Sequence, residues 1–168
     1  MKRLLLSALL VSALSASTAH AQTVMRFSVA GGMSPAVGTL GDVSDVGFNL
    51  GLRGETVRGG EWGFRGDLSW DRFGARGPVD AYSYLGLTAN LLHRNGGGLY
   101  EFGGLGLYNQ KIAFRDTGDN SSDTNLGMQF GVGLNFKSNN TFVEFGLANV
   151  FTEGSNSTWF PLRFGVRF

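Results

Sequence analysis

Apolar and polar residues alternate with a period of two along most of the chain. The clearest stretch is 126–136, where every even position is a large apolar residue and every odd position is glycine, glutamine or asparagine. The sequence WFPLRFGVRF at the end of the chain repeats this alternation over 160–168. A period of two is typical of a β-strand that has one apolar face. The pattern therefore predicts a chain built from half-apolar strands.

Eight such segments, each roughly ten residues long, follow one another after residue 22, with turn-forming residues between them. Segments of this length can cross a bilayer as tilted strands. No stretch among them shows helical periodicity or an apolar run long enough for a transmembrane helix. In the fifth segment the phase changes between Phe102 and Leu105, and a β-bulge at Gly103 and Gly104 is expected to restore it. The approximate bounds of the segments are 24–34, 45–55, 61–73, 80–93, 99–112, 124–137, 141–151 and 158–168.

The connections between these segments alternate in length. Outer-membrane barrels have short periplasmic turns and longer outer loops, and an even number of strands leaves both termini on the periplasmic side. The alternation therefore predicts an all-β fold, an eight-stranded antiparallel up-and-down transmembrane β-barrel. The short connections are 56–60, 94–98 and 138–140, and the longer ones are 35–44, 74–79, 113–123 and 152–157.

The polar face of these segments is unlike the surface of a soluble protein. It combines small residues with charges of both signs, whereas an exposed strand face favours long charged and β-branched residues. An eight-stranded barrel is just wide enough for side chains to fill, and charges buried there must be paired. The pattern predicts that this face points inward and that its charges form an ion-pair network. The residues assigned to the network are Arg26, Arg53, Arg65, Asp67, Asp71, Glu101, Glu144, Arg163 and Arg167.

Aromatic residues of the apolar face concentrate near the ends of the segments, with aliphatic residues between them. Two aromatic girdles around an aliphatic band are typical of a barrel in a bilayer. Arg72 is the one charge in the apolar phase, and its place near a strand end would let it snorkel to the interface. The residues assigned to the periplasmic girdle are Trp62, Tyr100, Phe136, Phe142 and Phe168, and those assigned to the outer girdle are Phe48, Trp70, Phe73, Phe151 and Phe160.

Residues 1–21, MKRLLLSALLVSALSASTAHA, have the three parts of a secretory signal peptide: two basic residues, a short apolar core and a small-x-small cleavage site. The expected mature chain is a single barrel domain, residues 22–168. Without Lys2 and Arg3 it has 12 basic and 13 acidic residues, so it lacks the basic excess that would attract nucleic acid. The absence of cysteine excludes disulfides and thiol chemistry.

Few residues of the mature chain could carry catalysis or bind a metal. A serine hydrolase needs a histidine beside its nucleophile, but the one mature histidine, His93, is placed at a strand end next to a turn. The cluster Asp67-x-Ser69-x-Asp71 follows from strand alternation alone. The segment FRDTGDNSSDTN has oxygen ligands without an EF-hand spacing, so we expect no metal, no cofactor and no catalytic site. Because function tends to reside on loops, this segment supplies the candidates for contacts outside the cell, which are Asp116, Asp119, Asn120 and Asp123.

The signal peptide, the eight alternating segments, the stretch YEFGGLGLYNQ and the terminal RFGVRF together resemble the small OmpA/OmpX-type outer-membrane β-barrels. The resemblance covers the whole mature chain. In that family an aromatic residue at the end of an alternating last strand is recognised by the barrel-assembly machinery. The resemblance implies that this assembly signal consists of Leu162, Phe164, Val166 and Phe168.

These observations predict a monomeric, non-enzymatic protein integral to the outer membrane, in contact with outer-membrane lipid and lipopolysaccharide. Its expected role is structural, in envelope integrity, or adhesive, through contact of the outer loops with an extracellular partner. Three alternatives remain. A narrow channel for small or apolar solutes would need a continuous lumen, and a lipid A-modifying enzyme would need an activated nucleophile. A secreted soluble barrel with a ligand cavity would have its apolar face inside.

Overall fold

The computed structural model describes residues 24–57, 60–76, 78–115, 120–136 and 140–168. The predicted signal peptide, residues 1–21, lies outside the described residues. No helix in the part of the chain that is described has the length and apolar character needed to cross a membrane. The elements of these residues are β1 (Val24–Ser34), β2 (Ala36–Val37), α1 (Gly38–Val43), β3 (Gly47–Val57), β4 (Trp62–Gly74), β5 (Val79–Arg94), β6 (Leu99–Phe114), β7 (Asn120–Phe136), β8 (Thr141–Phe151), β9 (Asn156–Trp159) and β10 (Leu162–Arg167).

The strands form one antiparallel sheet that closes on itself. Eight strands follow one another around the ring, from β1 through β3 to β8, and β10 closes it by pairing with both β8 and β1. The short strands β2 and β9 pair with each other and extend β1 and β10 beyond Pro35 and Pro161. Proline has no N–H for the ladder, which explains why both strands are interrupted there. The predicted all-β, eight-stranded antiparallel up-and-down barrel is thus confirmed.

Successive side chains of each strand point alternately into the barrel and away from it. On β4, Arg65 and Asp67 are only 2% and 3% exposed, while Phe64 and Leu68 are 67% and 43% exposed. Soluble proteins bury apolar side chains and leave charged ones in solvent. This barrel has the opposite arrangement for its charged residues, which are buried in the interior, and its outer face is apolar.

The β-bulge predicted at Gly103 and Gly104 is absent. The pairing of β6 with β5 and β7 runs through both residues without a register shift, so Tyr100 and Phe102 keep the phase of the strand. Both rings point into the barrel and are buried. The prediction was wrong because large aromatic residues were expected on the outer face only. A glycine on the neighbouring strand leaves room for one of these rings, since a Cβ at Gly133 would overlap the ring of Tyr100.

The connections differ less in length than the sequence pattern predicted. The long loop predicted at 113–123 is mostly strand, because β6 extends to Phe114 and β7 begins at Asn120. We call the end where β1 begins and β10 ends the proximal end, and the opposite end the distal end. The connections are 58–61, 95–98 and 137–140 at the proximal end, and 35–46, 75–78, 115–119 and 152–155 at the distal end.

Three neighbouring strands extend well beyond β8 at the distal end. β5, β6 and β7 have 16, 16 and 17 residues, whereas β8 has 11. Among the described residues, β7 pairs with β8 only from Gly127 onward, so 120–126 pair with β6 alone. At about 3.3 Å per residue, this part of β7 is roughly 20 Å long. We call residues 108–114 and 120–126 the distal hairpin.

Two glycines provide a test of how tightly the ring closes. Gly32 lies on β1 opposite Arg163 of β10, and a Cβ there would overlap the main-chain carbonyl of Leu162. Gly66 lies on the outer face of β4, where a Cβ would meet nothing within 4 Å. We expect Gly32→Ala to lower the free energy of unfolding by about 1–3 kcal/mol because it overpacks this contact. Gly66→Ala should not lower it. Urea titration of both refolded variants measures the difference, and equal midpoints would contradict the tight closure.

Candidate functional site in the barrel interior

Inward side chains from several strands meet around one carboxylate, that of Glu144 on β8. Its Oε2 lies 2.6 Å from Nη2 of Arg53, and its Oε1 lies 2.7 Å from Nη1 of Arg65. The hydroxyl of Tyr100 donates a 2.6 Å hydrogen bond to the same Oε1. All four side chains are buried. One carboxylate thus contacts two guanidinium groups at short range, which is the geometry that a buried ion pair needs to offset its desolvation.

Asp67 on β4 is the second carboxylate of this site. Its Oδ1 lies 2.9 Å from Nε of Arg65 and 3.8 Å from Nε of Arg53. The side-chain amides of Gln129 and Asn90 donate to its Oδ2 over 2.9 Å and 3.1 Å. Side chains from six strands are therefore joined in one group of contacts. We call this group the central network; its members are Arg53, Arg65, Asp67, Asn90, Tyr100, Gln129 and Glu144.

A smaller ion-pair group lies at the proximal mouth. Nε of Arg167 lies 3.4 Å from Oε1 of Glu55, and Nη1 of Arg26 lies 4.0 Å from the same oxygen. Arg26 is partly solvated, with 44% of its side chain exposed, whereas Glu55 and Arg167 are buried. The guanidinium of Arg167 also lies 4.6 Å from the ring centroid of Phe142, a cation–π contact. These contacts cover the proximal side of the central network.

The distal half of the interior is aromatic. The ring of Trp159 lies 4.8 Å from that of Tyr84, 5.7 Å from that of Phe73 and 6.0 Å from that of Tyr108, measured between centroids. Leu40 of α1 packs against this cluster from the distal side. We call Phe73, Tyr84, Tyr108 and Trp159 the aromatic cluster. This cluster gives Leu40 an apolar surface on which to be buried, which explains why α1 lies over the distal mouth of the barrel.

Asp71 links the aromatic cluster to Arg163. Ser34 and the indole of Trp159 donate hydrogen bonds of 2.7 Å and 3.1 Å to its Oδ1. Its Oδ2 lies 3.9 Å from Nη2 of Arg163, whose Nε donates to the side chain of Asn49 over 3.3 Å. Charged and aromatic side chains therefore fill the interior in succession from one mouth to the other. Such packing suits a rigid, closed barrel.

The structure places most of the predicted network residues in this interior. Arg53, Arg65, Asp67, Asp71, Glu144, Arg163 and Arg167 are buried there, and Arg26 lies at the proximal mouth. Glu101 is a correction. Its side chain is 54% exposed on the outer face, where it lies 3.8 Å from His93 and accepts a 2.9 Å hydrogen bond from Asn95. The error follows from the phase of β6, because placing Tyr100 and Phe102 outside placed Glu101 inside.

Sequence reasoning missed several interior residues. Glu55 lies two positions after Arg53 on β3 and shares its inward phase, which was a usable signal. Tyr100 was assigned to an aromatic girdle, and so were Phe73 and Phe142, but all three are buried inside the barrel. A period-two pattern identifies the two faces of a strand, but an aromatic ring is acceptable on either face of this narrow barrel. The girdle residues found on the outer face are Phe48, Trp62, Trp70, Phe136, Phe151, Phe160 and Phe168.

The remaining candidates lie outside the interior or beyond the described residues. His93 faces outward at the proximal end, with its ring 4.5 Å from that of Trp62. Asp116 and Asp119 lie outside the described residues, and Asn120 and Asp123 lie on β7. Within the described ranges, no three His, Cys, Asp or Glu residues are placed to hold a metal ion. The outward residues implied as the assembly signal are Leu162, Phe164, Val166 and Phe168, which are 46%, 57%, 38% and 76% exposed.

Comparison with known proteins identifies the fold. No protein-family model and no curated protein sequence matches the chain. Solved structures do match: Ail, the attachment invasion locus protein of Yersinia pestis, in complex with the heparin analogue sucrose octasulfate, has a TM-score of 0.62 and 20% identity over 86% of this chain and 97% of that one. Neisserial surface protein A has a TM-score of 0.56 and 18% identity over 85% and 95%. The N-terminal β-barrel domain of Pseudomonas aeruginosa OprF has a TM-score of 0.60 and 15% identity over 86% of this chain and 97% of that one.

These neighbours are small outer-membrane β-barrel proteins of the OmpA/OmpX-like type. At identities of 15–20% the likeness concerns the fold, and it spans nearly the whole of each neighbour. The resemblance expected from the alternating segments is therefore confirmed for the architecture. The chain has the fold of a small eight-stranded outer-membrane barrel.

Proposed function

We propose that this protein is an integral outer-membrane barrel, exported by a signal peptide at residues 1–21 and inserted as a monomer of residues 22–168. The main support is a continuous row of apolar side chains on the outer face. The members of this row, one from each of six neighbouring strands, are paired from strand to strand, and each side chain is 40–63% exposed. In water such a row would be unfavourable, whereas in a bilayer it faces lipid. The row consists of Val29, Leu52, Leu68, Leu87, Leu107 and Leu126.

The height of the apolar surface supports the same proposal. On β4, outward residues run from Trp62 at the proximal end to Arg72 at the distal end. These ten residue steps span about 33 Å along the strand and, at a tilt of about 40°, about 25 Å along the barrel axis. The apolar band of an outer-membrane barrel is about 25 Å tall. Since β1 begins and β10 ends at the proximal end, we infer that this end faces the periplasm and that the distal end faces outward.

The proposed role is structural, or adhesive through the distal end, without enzymatic activity. The distal hairpin supports the adhesive part, because it carries polar side chains such as Asn109, Lys111 and Ser122 beyond the band. Ail, an attachment protein by name, has the same fold. The filled interior favours this role over a channel, since the central network and the aromatic cluster occupy the path that a solute would take. The outward position of His93 gives no support to a hydrolase.

The test of membrane insertion uses the depth dependence of a charge on the outer face. We expect the chain 22–168, refolded in detergent, to migrate differently on a gel before and after boiling. Leu105→Arg places a cation in the apolar band of β6 and should lower the free energy of unfolding by about 2–4 kcal/mol in lipid vesicles. Asn109→Arg, on the same face of the same strand but beyond the band, should cost about 0–1 kcal/mol.

Either of two results would contradict the proposed membrane insertion. One is a wild-type chain that is soluble in plain buffer and shows no heat-dependent shift. The other is an equal effect of the two arginine variants, which would mean that position 105 does not face hydrocarbon.

A further inference from the structure

Arg72 on β4 is a basic side chain that points to the outer face of the barrel. Strand pairing places it in a row with Ser83 of β5, Lys111 of β6 and Ser122 of β7. Neighbouring strands are about 4.8 Å apart, so the backbones at Arg72 and Lys111 are separated by about 10 Å, with Ser83 between them. The outer face therefore presents two cations and two hydroxyl groups in one line.

This row lies at the distal edge of the apolar band. Two residues closer to the proximal end, the outward positions are Trp70 on β4 and Leu85 on β5, but Asn109 on β6 and Thr124 on β7. Residues of this second row are apolar on β4 and β5 and polar on β6 and β7. Because the strands are tilted, a row of paired residues runs obliquely around the barrel, and this change indicates that the row lies further toward the distal end on β7 than on β4. At a tilt of about 40°, two strand steps raise Lys111 about 6 Å further out than Arg72.

The two cations have little compensation from the protein. Nη2 of Arg72 lies 4.0 Å from Oδ2 of Asp80, its ion-pair partner among the described residues, and both side chains are about half exposed. Among the described residues, Lys111 makes no ion pair. An exposed pair at this distance contributes little, so both cations are available to an anion. Guanidinium and ammonium groups beside hydroxyl groups are typical phosphate ligands.

An apolar groove lies directly below Arg72. Its volume is about 360 Å³, and it opens on the outer face of β1, β3, β4 and β5. The groove is lined by Val29, Leu50, Leu52, Leu68, Trp70 and Leu85. An apolar groove at this position on the outer face suits an acyl chain whose headgroup lies at the level of Arg72.

We propose that this face binds a phosphorylated glycolipid of the outer leaflet, lipopolysaccharide, with an acyl chain in the groove and phosphates on Arg72 and Lys111. The proposal rests on the proposed outer-membrane location. A phospholipid carries its phosphate at one depth and can reach one of the two cations. A glycolipid with several phosphates on a tall sugar headgroup can reach both, and Ser83 between them can bond to its sugar hydroxyls. The site would anchor the base of the distal hairpin in the outer leaflet.

The test is a binding titration of the refolded chain 22–168 in detergent micelles. The probe is purified lipopolysaccharide that retains its phosphates, and bound lipid is counted by native mass spectrometry. We expect the double variant Arg72→Gln/Lys111→Gln to bind at least about tenfold more weakly, since two charge-assisted contacts are lost. The matched control, Arg76→Gln/Arg115→Gln, removes two other exposed cations and should stay within about twofold of the wild type.

Three results would overturn the inference. Chemically dephosphorylated lipopolysaccharide could bind as tightly as the intact form, phosphatidylglycerol could compete equally well, or the control variant could lose as much affinity as the double variant. The heat-dependent gel shift of every sample separates this from failure of the proposed function. A missing shift in the wild type overturns the membrane barrel itself, whereas a normal shift without phosphate-dependent binding overturns only the lipid site.

Discussion

Replacing Glu144 by glutamine is expected to lower the free energy of unfolding by about 3–5 kcal/mol. The substitution keeps the size of the side chain but removes the charge that lies 2.6 Å from Arg53 and 2.7 Å from Arg65. Both guanidinium groups are then left with Asp67 as their only close carboxylate within the central network. An uncompensated charge in a buried site is among the most costly changes that a single substitution can make. Urea titration in detergent micelles, followed by far-UV circular dichroism, measures the loss.

The matched control is Glu101→Gln, which makes the same chemical change on the outer face. Glu101 is more than half exposed, and its nearest partners are His93 and Asn95 at the proximal rim. We expect its free energy of unfolding to stay within about 0.5 kcal/mol of the wild type. A comparable loss in the two variants would mean that Glu101 also supports the interior, or that the central network contributes little. Either reading would contradict the assignment made from the structure.

Replacing Trp159 by alanine is expected to cost about 3–5 kcal/mol, because it removes the largest buried side chain of the aromatic cluster. The rings of Tyr84, Phe73 and Tyr108 would lose their common contact, and Asp71 would lose the hydrogen bond from the indole. Urea titration measures this loss as well. The control is Trp70→Ala on the outer face of the same barrel, where the ring contacts Phe48. Its effect should be clearly smaller.

The Trp159→Ala variant also separates a plugged barrel from a channel. Removing the indole opens the distal half of the interior but leaves the central network in place. We therefore expect planar-bilayer recordings to show no steady conductance for the wild type, and none for this variant. Conductance in the wild type would overturn the idea of a closed barrel. Conductance in the variant alone would mean that the aromatic cluster, and not the ion pairs, closes the path.

The two halves of the interior have different physical roles. The central network joins distant strands through charge-assisted bonds, whose strength depends on exclusion of water. The aromatic cluster and Leu40 cover the distal side and limit the access of water to these bonds. Arg167 covers the proximal side of the network, where it pairs with Glu55 and lies over the ring of Phe142. Loss of either cover should weaken the network, so the effects of Glu144 and Trp159 substitutions are not expected to add independently.

Local periodicity was sufficient to predict the strands. The segments 24–34 and 141–151 coincide with β1 and β8, because turn-forming residues bound both segments and each strand stays in one phase. The strand count and the antiparallel order also followed, since strands joined by short connections pair with their neighbours. Strand ends were less predictable. β6 and β7 continue into residues that read as loop, where pairing between the two strands holds polar residues in extended conformation.

The inward residues were predicted only where hydrophobicity separates the two faces. On β3, β4 and β10 the charged phase is the inward phase, and Arg53, Asp67 and Arg163 could be assigned from the pattern. On β6 both faces carry large apolar residues, so the phase was ambiguous and Glu101 was assigned to the wrong side. Only the pairing of β6 with β5 and β7 resolves this, because a register without a bulge leaves Tyr100 inside.

The sequence by itself determined that this protein is a ring of half-apolar strands with its charges on one face, because a period of two is a property of each strand alone. Which charges meet was decided by the tertiary structure. Glu144 contacts Arg53 and Arg65 only because barrel closure brings β8 across the interior from β3 and β4. The narrow radius of an eight-stranded ring forces these side chains together, and it admits aromatic rings where glycines on neighbouring strands leave space for them.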